Sequence, residues 1–529
     1  MTMALCTGQV SSVEKSTGND GKRPNILVIM TDQQRWDALG CSGNGVIKTP
    51  NIDRLARSGV RFSRAVTPCP VSGPARTSIL TGRAIEKSGV RLNPDVEKSD
   101  LPGYRSFDEI LTAHGYTAEC HGKFHSPHAM AAVYRNPSVM GYEGSRLIIH
   151  WEDVYRLIQQ KYVPQREIID GEQFDCSFYD ATPYRPNPMD KRYGMAPQRP
   201  PVPKGDVKKL HDYVQPDCHG TLDLSPEYTI TAVQGRETID ALQRLRDKPF
   251  VITCSFHAPH SPILPSEPYA SMYEPTKMPI PASISDKMEN NPYRASNGRL
   301  GPGMDAYADP LRIGYMIADY YGFVTEIDAW VGRILDQLDR LELTRNTVVI
   351  FVSDHGEMLG SHGMREKNVF LEESVRVPLI IRYPGTIPAG RVIDTPISLL
   401  GIYPTLMELT GIKDEVADCP SLMGLIRSGR PRDDFAISEW TSAAKNVPNI
   451  MITTSRWKLM LSYADDSGRC DALFDLKKDP YEMINLLGTN PAKREYKARA
   501  EELQKKLAGY LTRIGHPKAT DVGKRIIVK

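Results

Sequence analysis

Short unbroken apolar runs alternate with amphipathic stretches along most of the chain, and each run closes on a polar cluster. PNILVIMTD is apolar at consecutive positions, the pattern of a strand covered on both faces, and it ends at Asp32. NIDRLARSGVRF spaces its apolar residues as a helix does and meets a stop signal at Gly59. SFDEILTAHGYTAECHGKFH predicts a helix, a stop at Gly115 and a strand ending near Lys123. ETIDALQRLRDKPFVITCSFHAPH repeats that arrangement and ends near His257 and His260. YYGFVTEIDAWVGRILDQLDRLELTRNTVVIFVSDHGE repeats it again and ends at Asp354. Strands separated by helices predict an α/β fold around a large, mainly parallel sheet. Such sheets place ligands just beyond the carboxyl ends of their strands, where these polar clusters fall.

Two regions break this rhythm. Residues 130–220, with FYDATPYRPNPMDKRYGMAPQRPPVPKG at their centre, are rich in Tyr, Pro, Arg and Asp and show little periodicity. They predict an irregular insertion, either a lid or wall over a site or a packing loop. Past residue 411 the pattern turns to short strands, NIMITTSRWKLMLSY and CDALFDL, before the charged helix KREYKARAEELQKKLAGYLTRI. The expected division is a polar tail over 1–23, a main α/β domain over 24–411 and a smaller α+β subdomain over 412–529.

The segment CPVSGPARTSILTGR predicts a further helix, with Pro74 in its first turn and Gly82 as its stop. Ser72 falls at its N-terminal mouth, where backbone N–H groups and the helix dipole favour an anion. Taken alone, that position reads as an N-cap. The other clusters change its meaning. Asp32–Gln33 and Asp354–His355 each follow a strand, and together offer two carboxylates, a carboxamide and an imidazole. The oxygens suit a hard divalent ion such as Ca²⁺, and the imidazole leaves room for Mn²⁺ or Zn²⁺. Lys123 and His125 are two residues apart, hence on one side of a continuing strand, where they could meet an anion. His260 lies in a Pro-punctuated loop, and Lys367, taken alone, is an ordinary solvated charge.

Composition narrows the function classes. A formal net charge of +2 carries no nucleic-acid or membrane signature, and no apolar stretch approaches a membrane span. Nine scattered cysteines without paired spacing argue against a disulfide framework or a zinc cluster. With an N-terminus unlike a signal peptide, they predict a cytoplasmic location, a periplasmic or secreted one being the alternative.

Together these segments resemble the sulfatase family of the alkaline-phosphatase superfamily, with its phosphonate monoester hydrolase branch. The family signature, Cys or Ser followed by x-Pro-x-Arg and then Thr-Gly, is matched by Ser72-Gly73-Pro74-Ala75-Arg76 with Thr81-Gly82. NILVIMTDQQ and VSDHGEMLGSHG resemble the two metal segments, HGKFH the Gly-Lys-Trp-His element with Phe124 in place of Trp, and HAPHSP the Pro-His-x-Pro loop. KNVFLEESVRVPLIIRYPG and the C-terminal SRWKLMLSY through LFDLKKDPYEMINL complete the likeness, which runs from Pro24 to Leu487.

The resemblance implies an alkaline-phosphatase-like fold and hydrolysis of a sulfate ester, of a small molecule or a carbohydrate. It implies a nucleophile made by a maturase that oxidises Ser72 to formylglycine, whose hydrate has two hydroxyls on one carbon. One attacks sulfur; deprotonation of the other expels sulfate. Arg76 would steady residue 72, and Asp32, Gln33, Asp354 and His355 would hold one divalent cation. Lys123 and Lys367 would clamp the sulfate oxygens, with His125 as base and His260 at the leaving oxygen. Asn93 is a further candidate for contact with the substrate. The alternatives are hydrolysis of phosphonate monoesters or phosphodiesters, and a silent binding form in which Ser72 is never matured. A third alternative is that Ser72 stands in for a Cys.

Overall fold

The computed structural model describes residues 23–98, 100–134, 138–140, 184–186, 219–222, 225–293, 308–413, 417–442, 447–462 and 471–527. Most of the 130–220 insertion and of the N-terminal tail lies outside the described residues, so the lid expectation does too.

The strands, in chain order, are β1 (Asn25–Thr31), β2 (Val60–Val66), β3 (Thr117–Lys123), β4 (Ser138–Met140), β5 (Tyr184–Pro186), β6 (Gly220–Leu222), β7 (Phe250–Ser255) and β8 (Thr347–Ser353). They continue with β9 (Arg376–Arg382), β10 (Arg391–Ile393), β11 (Ile397–Ser398), β12 (Phe435–Ser442), β13 (Val447–Thr454), β14 (Trp457–Leu461) and β15 (Ala472–Asp475). The large sheet has the order β10-β2-β9-β8-β1-β7-β3-β4, with β11 beside β2. Its pairings are parallel except where β9 runs antiparallel to β8 and β2. This is the expected mainly parallel, mixed sheet.

β1 sits at the centre because every one of its residues is apolar enough, or paired enough, to be buried. Ile26, Val28 and Met30 point to one layer with Ile79, Phe107 and Leu111, from helices Ser72–Thr81 and Phe107–Ala113. Leu27 and Ile29 point to the other, with Ile52, Leu242 and Trp330 from helices Pro50–Arg57, Ile230–Leu245 and Pro310–Arg340. Alternate side chains of a strand face opposite sides, so one continuous apolar run supplies two cores.

β12–β15 form a separate antiparallel sheet. Within β14, Met460 packs with Met358, Phe370 and Leu371 of the main body, while Leu459 and Leu461 pack with Leu503 and Leu507 of helix Lys497–Arg513. The small sheet therefore stands between the closing helix and the segment that follows β8. The sequence predicts β13, β14, β15 and the helix; β12, reading FAISEWTS, has no strong run and was not anticipated.

Candidate active site

Register sets the site. β1 and β8 pair with Thr31 opposite Ser353, so Asp32–Gln33 and Asp354–His355 emerge side by side. β3 pairs with β7 so that Gly122 lies opposite Ser255, which brings Lys123 to the same end of the sheet. Gly122 is required there: its φ is +112°, and a β-carbon would come within 2.0 Å of the Ser255 carbonyl oxygen.

Asp32, Asp354 and His355 are fully buried, and one ligand atom from each lies within 4.8 Å of the others. Asp32 Oδ1 is buried and accepts no hydrogen bond from a described residue. A buried, unpaired carboxylate oxygen beside a second carboxylate and an imidazole is a costly arrangement unless a cation completes it. The donor set fits a divalent ion. Gln33 adopts a left-handed φ of +66°, a conformation that side-chain-bearing residues seldom take outside functional turns. Its backbone N–H donates to Asp354 Oδ1 at 3.1 Å, and its carboxamide is held between Glu357 and Lys367. The structure thus brings Gln33 to the cluster but turns its side-chain oxygen to the Lys367 ammonium.

Helix Ser72–Thr81 begins at Ser72 itself, with the extended Val71 as its cap residue, so Ser72 is not the N-cap that the local sequence suggests. Its Oγ instead lies 2.9 Å from His355 Nε2 and 3.4 Å from Lys123 Nζ. One turn on, Arg76 is buried and donates from Nε to Asp354 Oδ2 at 2.7 Å and from Nη1 to the Lys123 carbonyl and Ser255 Oγ, each at 2.8 Å. It ties three strand ends to the helix. Asn93 meets the same helix mouth, accepting the Gly73 N–H at 3.0 Å, so it satisfies one of the helix's unpaired donors.

Lys123 donates to Asp32. Lys367, from the loop after β8, donates to His260 Nε2 and Glu366 Oε2, each at 2.8 Å, and to Gln33 Oε1. His260 Nδ1 donates to the Ser261 carbonyl at 2.7 Å, so the ring fits a neutral tautomer with its Nε2 lone pair on Lys367. His125 is buried beside this group, at a left-handed φ of +41°. The sequence reading missed Ser255, Glu357 and Glu366. Glu357 accepts from Gln33 Nε2, from Leu359 N at 3.0 Å and from Glu366 N at 2.6 Å. Glu366 accepts from Ser261 Oγ at 2.9 Å, linking the two loops that carry Lys367 and His260. A Glu three residues past Asp354 in a loop carries no periodic signal that would have marked it.

Charge follows geometry. Burial pushes the Asp32 carboxyl up, but Lys123, His260, Arg76 and His355 together hold it well below the usual carboxylate range. Asp354 is likewise held low, with His355, Arg76 and Lys123 outweighing burial and the Asp32 charge. Burial and Lys367 push His260 down to about 4. Burial, with Lys123 and Arg76 adding, pushes His125 well below the histidine range. Glu366 keeps Lys367 above the ordinary lysine value despite burial. Burial, with Arg76 adding, pushes Lys123 below the ordinary lysine value against the pull of Asp32 and Asp354. The site therefore gathers two lysines, neutral imidazoles and two carboxylates in a largely buried cluster.

The family model described as Sulfatase matches residues 24–412, and one described as N-sulphoglucosamine sulphohydrolase, C-terminal, matches 360–512. The chain belongs to the sulfatase family. This sulfatase-family chain is 30% identical over 503 residues to an arylsulfatase of Clostridium perfringens, covering 91% of this chain and 93% of that one. It is 28% identical over 528 residues to an ulvan-active sulfatase of Formosa agariphila, covering 97% and 86%. Among solved structures it resembles the phosphonate monoester hydrolase of Agrobacterium radiobacter, with a TM-score of 0.72 and 25% identity over 93% of this chain and 96% of that one. The alkaline-phosphatase-like fold that the motifs imply is the fold of this sulfatase-family protein.

Proposed function

We propose that this protein hydrolyses the sulfate ester of a small molecule or carbohydrate, releasing inorganic sulfate and an alcohol. The nucleophile is residue 72 after a maturase has oxidised it to formylglycine, and Asp32, Gln33, Asp354 and His355 hold one divalent cation, Ca²⁺ by its preference for oxygen. The observation that carries this reading is the place of Ser72 Oγ, between His355 Nε2 at 2.9 Å and Lys123 Nζ at 3.4 Å. A helix-cap serine would face its own backbone.

When present, formylglycine supplies a hydrated carbon with two hydroxyls, one to attack sulfur and one whose deprotonation expels sulfate. The cation supplies charge that lowers a nucleophile's pKa and screens the sulfate. The chain's own residues do the rest. Lys123 and Lys367 exchange their present acceptors, Asp32 and Gln33 or Glu366, for sulfate oxygens, and their fixed charges favour the transition state as charge moves. His125, held neutral, can accept a proton. His260 is neutral at rest, and a bound anion beside it raises its affinity for a proton, which prepares it to serve the leaving oxygen.

The likeness to the Agrobacterium radiobacter enzyme favours a second reading, hydrolysis of phosphonate monoesters by the same group of residues. The test pairs intact mass of the Ser72 peptide with turnover on matched aryl sulfate, phosphonate and phosphodiester substrates. Fastest turnover of the aryl sulfate, by protein carrying formylglycine, is expected. Faster turnover of the phosphonate would favour the second reading. Many turnovers by protein whose Ser72 is unmodified would overturn the nucleophile.

A further inference from the structure

We propose that Lys458, in the C-terminal sheet, is a positioning residue for the active site. It fixes the segment that carries Lys367 and that supplies backbone acceptors to the turn after Asp354 and His355.

The Lys458 side chain is 0% exposed. Its Nζ forms ion pairs with Glu372 Oε1 and Glu482 Oε1, each at 2.7 Å, and donates to the Phe370 carbonyl at 2.9 Å. Glu372 is held from its other side as well, its backbone N–H donating to Glu482 Oε2 at 2.6 Å. Phe370 and Glu372 lie just past Lys367. Just past them, Ser374 O accepts the Gly356 N–H at 2.8 Å and Glu373 O accepts the Glu357 N–H at 3.0 Å. The segment is thus a strut with Lys367 at one end, the His355 turn at the other and Lys458 on its middle.

The strut reaches the first metal segment too. Glu372 Oε2 pairs with Arg376 Nη1 at 3.5 Å, and the Arg376 guanidinium lies 3.6 Å from the ring centroid of Trp36, in the loop that follows Asp32 and Gln33. A lysine is a poor choice for sealing a sheet against a core, since taking its charge out of water offsets most of what the pairs return. Met460, two residues along the same face, seals its part of the interface with an apolar side chain. What Lys458 adds is direction: two ion pairs and one hydrogen bond to the Phe370 carbonyl, made where water does not screen them, favour one position of the strut.

The activity readout rests on the function proposed above; a cation titration does not. Lys458→Met would be compared with Leu459→Ala, which loosens the same sheet on its opposite face, at matched loss of Tm. Lys458→Met is expected to lower kcat for an aryl sulfate by about 10-fold or more with KM changed by less, and to weaken Mn²⁺ binding in calorimetry about 10-fold, as loss of outer support does. Leu459→Ala should leave both near wild type. Should Lys458→Met fail to fold, Glu372→Gln, which keeps the shape of the strut and removes a charge, decides with the same readouts. Wild-type values in these variants, or losses no larger than those of Leu459→Ala, would overturn the proposal. Matured wild type without sulfatase activity would sink the proposed function instead, and the Mn²⁺ titration would still decide this one.

Discussion

The Ser72 hydroxyl meets His355 Nε2 at 2.9 Å across 283 positions of chain. His355 Nδ1 lies 3.0 Å from the Gly356 carbonyl and must donate to it, so Nε2 is the lone pair and Ser72 is the donor. The lone pair that would bind a cation is the one that Ser72 occupies. Ser72→Ala should therefore abolish turnover, by at least about 1,000-fold as for loss of a nucleophile. Its divalent-cation affinity should be equal to or tighter than that of unmodified wild type. Calorimetric titration of both proteins checks this, and weaker cation binding in Ser72→Ala would show that the hydroxyl helps to hold the ion.

Asp354 is both a candidate ligand and the partner of a buried arginine. Truncation to Ala would take from the buried Arg76 its nearer carboxylate and leave only Asp32, at 3.5 Å; breaking a buried pair costs up to about 3–5 kcal/mol. Asp354→Asn is the cleaner test. It should fold with a lowered Tm and lose at least the roughly 10–100-fold in cation affinity that disturbance of outer partners alone produces. Unchanged affinity would remove Asp354 from the ligand set.

Gly356 is fixed by space. A β-carbon there would lie 1.9 Å from the Glu373 carbonyl oxygen. Gly356→Ala must push the strut away from the His355 turn, and it should cost both Tm and cation affinity. A variant with wild-type Tm and affinity would mean that the turn yields freely.

How much of this was legible beforehand follows from range. The strand ends at Asp32 and Asp354 were readable because their apolar runs are local and unbroken, and the signature around Ser72 because its spacing is fixed. The Ser72 side chain's direction was not, since it depends on His355. Glu357 and Glu366 carry ordinary local signals, and Lys458 is a single charge in the otherwise apolar strand WKLML; their burial is created by segments far away in the chain. Asn93 is named from the sequence as a candidate for contact with the substrate; that its Oδ1 accepts the Gly73 N–H depends on a turn twenty positions away and has no local signal.

A pH test bears on the loop beside the site. His362 Nδ1 lies 2.7 Å from Asp286 Oδ2. Burial pushes this imidazole down, but Asp286, with Glu373 and Glu482 farther off, holds it above the ordinary histidine value. The charged form is therefore favoured by folding. Its contribution is complete below the unfolded value of about 6.5 and is lost as pH rises through the folded value. Wild-type Tm should fall from about pH 6 to about pH 9 more steeply than that of Asp286→Asn. Parallel curves would sink the assignment.

The central place of β1 has a consequence in time. β1 is made long before the partners it needs, since β7 and β8 follow it by more than 200 positions and the strut comes later still. At about 5–20 residues per second, roughly 15–60 s separate the addition of Ser72 from that of His355. For that interval the hydroxyl has no sheet to hide behind, and an enzyme of ordinary size can reach it. Afterwards it is 2% exposed beneath a finished fold. Whatever chemistry is done to residue 72 from outside has to happen before that fold closes over it.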